Sequence, residues 1–94
     1  MQFLHTDLGH VAAGSTVRVN LRGTEANVLL LDGPNFTRYQ NGRDYHYYGG
    51  HFIQSPALIE VPDSGHWYVA IDLGGFAGRI NANVEVLAPG GFVV

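Results

Sequence analysis

The chain has 94 residues, 46% hydrophobic and 14% charged, with no cysteine and a formal net charge of −3. That composition excludes disorder, disulfide bonds and thiolate-ligated zinc, and the length predicts one domain with a small core and no deep enclosed cavity. The basic residues are all arginines, scattered at Arg18, Arg22, Arg38, Arg43 and Arg79, whereas nucleic-acid binding needs clustered cations, so no nucleic-acid partner is expected.

Met1-Gln2-Phe3-Leu4-His5 has neither the basic nor the apolar region of a secretory signal, and a cytoplasmic location is expected. No apolar run approaches the roughly 20 residues that span a bilayer, so no membrane partner is expected. Apolar periodicity is two along the chain. A first strand is predicted over Gln2 to Leu8, followed by a connection from Gly9 to Gly14. Ser15 to Arg22 alternates, with Val17, Val19 and Leu21 inward and Thr16, Arg18, Asn20 and Arg22 outward. Gly23-Thr24-Glu25 is a turn. Ala26 to Asp32 contains four consecutive apolar residues, Val28 to Leu31, which predicts a strand covered on both faces or a bulged one.

Gly33-Pro34-Asn35 breaks that strand, and Asn35 to Gln40 is predicted as one short helical turn with Asn35 as its cap. Asn41-Gly42 is a turn signal. Asp44 to Ile53, rich in Tyr and His and interrupted by Gly49-Gly50, reads as an irregular strand pair or bulge. Ala57 to Val61 is a short strand, and Pro62-Asp63-Ser64-Gly65 is a turn that Ser64 helps to fix. The next strand puts Trp67, Val69, Ile71 and Leu73 on one face and His66, Tyr68, Ala70 and Asp72 on the other. Gly74, Gly75 and Gly78 surround a second turn, and Arg79 to Leu87 alternates again, with Ile80, Ala82, Val84 and Val86 inward. Residues 1–88 form the domain, and residues 89–94 are a flexible tail or an extra edge strand. Seven to eight short strands joined by Gly, Pro and Asn turns predict an all-β fold, an antiparallel β-sandwich of jelly-roll-like type with Trp67 in its core.

Several motifs occur in order: F-L-H-T-D-L-G from Phe3, A-N-V-L-L-L-D from Ala26, N-F-T-R-Y-Q-N-G from Asn35, Y-Y-G-G-H from Tyr47, and S-G-H-W-Y-V-A-I-D-L-G-G from Ser64. Through them the chain resembles the bacterial family known as domain of unknown function 1883 over about residues 1–88. The resemblance implies a small all-β domain, found alone or ahead of a TIR-type domain. It assigns no catalytic residues, so no site is carried over from it.

The residues themselves supply the candidates. Tyr45, Tyr48, His51, His66 and Tyr68 are aromatic or imidazole side chains in two segments predicted to share a sheet, and they form the candidate recognition surface for a protein partner or small ligand. A metal-dependent enzyme using His46, His51 and His66 is the alternative, but the odd separation of His46 and His51 puts them on opposite faces of a regular strand. Ser15, Ser55 and Ser64 lack a nucleophile-elbow context, and the acidic residues are spread singly. No enzymatic activity and no cofactor are expected. Asp72 is read as an exposed strand residue, the alternative being a buried carboxylate beside an arginine such as Arg79. A homo-oligomer joined through Phe92-Val93-Val94 or an edge strand is a further expectation.

Overall fold

The computed structural model describes residues 3–22, 25–76, 78–90 and 92–93, the last two through their backbone alone. Gln2 of the first predicted strand, Gly23-Thr24 of the first predicted turn, and Gly91 and Val94 of the tail lie outside the described residues. Among the described residues, eight strands and one helix follow in chain order: β1 (Phe3–Val11), β2 (Thr16–Leu21), β3 (Ala26–Asp32), α1 (Gly33–Gln40), β4 (Tyr48–Phe52), β5 (Ala57–Glu60), β6 (Gly65–Asp72), β7 (Ala82–Ala88) and β8 (Phe92–Val93). They form two four-stranded antiparallel sheets, ordered β1-β6-β3-β4 and β5-β2-β7-β8. Face to face, the sheets make the all-β sandwich that the alternating pattern predicts.

The core lies where period-two alternation sends it. Val17, Val19 and Leu21 of β2 meet Val28 and Leu30 of β3 and Trp67, Val69 and Ile71 of β6 between the sheets. Ile80, Ala82, Val84 and Val86 pack against this cluster as half-buried residues. The Trp67 indole N–H is satisfied inside the core's rim by the Asp63 carbonyl at 2.9 Å. Ser64 reaches beyond its own turn. Its hydroxyl accepts the Ala13 N–H at 2.8 Å and ties the β5–β6 turn to the β1–β2 turn.

Strand β3 explains its apolar run by having two covered faces. While Val28 and Leu30 face the sandwich, Leu29 and Leu31 join Phe36, Tyr39 and Ala70 in a second, smaller core, with Phe3, Tyr45 and Tyr68 packed against it. Helix α1 forms the lid of this second core. It spans eight residues rather than one turn, and its cap is Asp32 rather than Asn35. The Asp32 carboxylate accepts from the Asn35 N–H at 3.0 Å and the Asn35 side-chain amide at 2.9 Å. Pro34 sits in the first turn, where a missing N–H costs nothing. The Gly33-Pro34 pair therefore starts a helix as well as ending a strand.

Two other boundaries differ from expectation. Strand β1 continues to Val11, because a bulge between Asp7 and Gly9 carries the pairing past the glycine. Gly9 takes φ +67°, and its N–H donates to the Asp7 carboxylate at 2.8 Å. Of the Asp44–Ile53 segment only β4 is strand; it lies at the edge of its sheet, next to β3. Phe92–Val93 pairs with Leu87 and Ala88 as the edge strand β8. Among the described residues, no helix is long and apolar enough to cross a membrane.

Candidate functional site

Register builds one polar rung across three strands of the β1-β6-β3-β4 sheet. Asp72 of β6 lies opposite Asn27 of β3, and Asn27 lies opposite His51 of β4. Opposed residues share a face, so all three side chains stand on the face that carries α1. Asp72 is buried, with 2% exposure. One carboxylate oxygen accepts the Asn27 amide N–H and the Gly74 backbone N–H, each at 2.8 Å. The other accepts the Tyr39 hydroxyl at 2.5 Å. Among the described residues three donors and no acceptor converge on it, the setting an ionised carboxylate takes.

The rung continues to the surface. With its amide nitrogen committed to Asp72, Asn27 presents its carbonyl oxygen to His51 Nδ1 at 3.0 Å. An acceptor there requires the proton on Nδ1 and leaves Nε2 with the lone pair in the neutral ring. That nitrogen lies 3.6 Å from the Glu25 carboxylate. Burial, and then donation to Asp72, push the Tyr39 hydroxyl far above the usual phenol range. Burial also raises Tyr45, with the Asp72 charge adding to the shift.

Beside this rung opens a cavity of about 380 Å³, lined by Asn27, Leu29, Tyr45, Tyr47, Gly50, His51, Asp72 and Gly74. Tyr45 and Tyr47 form its aromatic wall, their ring centroids 5.7 Å apart and their planes tilted by 48°. Tyr45 is itself fixed edge-on against Tyr39, with centroids 5.2 Å apart. A hydrogen-bonded carboxylate, a tethered amide and imidazole, and two phenol side chains thus line one open space. This combination holds and orients a small polar molecule.

A second cavity, about 320 Å³, lies at the start of β6, lined by Asp32, Asn35, His46, Tyr48, His66 and Trp67 among others. Tyr48 meets Trp67 edge-on at 5.9 Å. His66 Nε2 is 2.6 Å from the Asp7 carboxylate across the β1–β6 pair, with both side chains about half exposed. The Gly9 N–H, and after it His66, holds Asp7 below the usual carboxylate range.

The model of the family described as a domain of unknown function, DUF1883, matches residues 1–90. The chain belongs to the DUF1883 family. No curated protein and no solved structure matches it.

For this DUF1883 chain the structure divides the predicted recognition surface into three places. Tyr45 and His51 line the cavity beside Asp72, whereas Tyr48 and His66 line the other. Tyr48 sits in β4 opposite Leu30, on the sandwich-facing side, and so points away from His51. Tyr68 belongs to neither cavity: its ring stacks on Phe36 of α1 at 4.4 Å and 6°. The histidine trio is divided as well, with His46 and His66 at one cavity and His51 at the other. Among the described residues, no three His, Cys, Asp or Glu side chains gather in a way that could hold a metal ion.

Asp72 is a correction of its own, for it is buried, and its partners are Tyr39, Asn27 and the Gly74 N–H rather than an arginine. Sequence reasoning missed Asn27 entirely and left Tyr39 and Tyr47 outside the recognition surface. A usable signal was present in A-N-V-L-L-L-D. A strand apolar on both faces has no inexpensive place for an amide, so Asn27 needed a polar neighbour in the next strand.

Proposed function

We propose that this chain is a small, non-catalytic recognition module that binds a small polar molecule in the cavity beside Asp72. The observation that carries this reading is the lining of that cavity: a carboxylate, 2% exposed and locked by three donors, beside two tyrosine side chains. Pre-fixed polar groups lower the cost of ordering a site when a ligand arrives. The non-catalytic part of the reading draws on how the hydroxyls are used. Ser55 accepts the Leu21 N–H and Ser64 the Ala13 N–H, and Ser15 is buried with 2% exposure, so the serine side chains serve the fold.

The test is a nuclear magnetic resonance screen of a library of small polar molecules against the isotope-labelled chain. Ligands of this site shift the backbone amides of Gly50 and Gly74 and the side-chain amide of Asn27. The same ligands leave those signals unmoved in Asp72→Asn or, should that variant not fold, in Tyr45→Leu. Shifts confined to the cavity at His46 and His66, or unchanged in both variants, refute the assignment.

A further inference from the structure

Resting on that reading, we infer that the ligand of the Asp72 cavity carries an ammonium group. The argument begins with charge. Among the described residues the donors to Asp72 are neutral, namely a phenol, a carboxamide and a backbone N–H. The chain has no lysine, and no arginine is among the described residues that line this cavity. A buried carboxylate is ordinarily matched by a cation of the protein. Here hydrogen bonds stabilise the charge without neutralising it.

The aromatic wall points the same way. A phenol ring presents a negative face, and a cation seated over such a face is attracted by the ring's quadrupole. Tyr45 and Tyr47 offer two faces tilted by 48° with centroids 5.7 Å apart, and Tyr47 is 47% exposed, so its ring is accessible from solvent. The Asp72 carboxylate and both phenol side chains line the same open cavity. An anionic ligand would meet the Asp72 charge with no lysine or arginine among the described lining residues to offset it. A neutral polyol could use the polar groups but would gain nothing from the net charge.

The experiment compares charged probes with neutral ones of the same shape. Choline is titrated against its isostere with a quaternary carbon in place of nitrogen, and butylammonium against butanol, following the Gly50 and Gly74 amides. Each ammonium probe is expected to bind at least about tenfold more tightly than its neutral counterpart. Tyr47→Leu, an exposed position where the fold tolerates change, is expected to narrow that preference to about twofold or less. Asp72→Asn is expected to abolish it. Neutral probes that bind at these amides as tightly as the ammonium probes overturn the ammonium assignment while leaving the cavity as a site. No shift at these amides with any probe, charged or neutral, overturns both.

Discussion

At the scale of single residues, Asp72 and Tyr39 form the pair on which the second core turns. Tyr39 presents its ring to Phe3, Tyr45 and the leucines of β3, and its hydroxyl to a buried carboxylate. Tyr39→Phe keeps the ring and removes one of three donors to Asp72, so it opens no cavity. Hydrogen bonds to charged groups contribute about 1.5–3 kcal/mol, and a loss of that size is expected in urea titrations at neutral pH. The same pair sets a pH dependence of definite sign. The folded chain holds the Tyr39 proton above the pH, near 10, at which an unfolded tyrosine releases it. This contribution is therefore fully present below about pH 10 and is lost as pH rises through the raised folded value, because the unfolded chain then binds fewer protons. One such group gives a slope of up to about 1.4 kcal/mol per pH unit, and Tyr45 adds to it in the same direction. Measured from about pH 9 to about pH 12, Tyr39→Phe should show a shallower decline than the parent chain. An equal slope would remove Tyr39 as its source.

At the scale of elements, β4 shows what its neighbours demand of a strand. Gly49 lies opposite Leu29 with φ +111°. A Cβ placed on it would sit 2.2 Å from the Val28 carbonyl oxygen and 2.9 Å from Ile59 Cδ1. Backbone strain and overpacking each cost about 1–3 kcal/mol, so Gly49→Ala is expected to cost about 3 kcal/mol or more. Gly33→Ala, in the first turn of α1 with nothing within 4 Å, is expected to be neutral or stabilising by up to about 1 kcal/mol. Thermal melts of the two variants check the contrast, and equal melting points would refute it. Gly49-Gly50 marked this segment in the sequence, but the crowding that requires Gly49 comes from β3 and β5 and has no local signature. The same distinction separates what was legible elsewhere. Strands β2 and β6 announce themselves by alternation because one face of each meets the sandwich core, which is a local demand with a local period. Asp72 was misread because its face was assumed to meet water. Helix α1, too short to carry a recognisable apolar stripe, covers that face and turns half of β6 into a second core. Of the candidate site, Tyr45 and His51 were legible as a polar aromatic cluster; the Asp72–Asn27 contact depends on register between strands far apart in sequence.

At the scale of the whole molecule, the wiring decides how the chain reaches this state. Strands β2 and β3 follow one another in sequence but lie in different sheets, and their neighbours β5 and β6 do the same. Each sheet is therefore completed only by a partner from the other half of the chain: Phe3 pairs with Asp72, and Thr16 with Leu87. Although β3 pairs with β4 and β7 with β8, the central pairings β1–β6, β3–β6, β2–β5 and β2–β7 join strands far apart in sequence. Closing such loops before their contacts form is entropically costly, and domains dominated by non-local pairing fold in milliseconds to seconds rather than microseconds. Trp67 is the only tryptophan and stands on β6, the strand flanked by β1 and β3. Its environment changes from water to a site with 6% exposure when that central strand docks. Stopped-flow fluorescence should follow the major refolding phase within that window. A major phase completed in less than about 100 microseconds would mean that the core around Trp67 assembles from local contacts, against the wiring described.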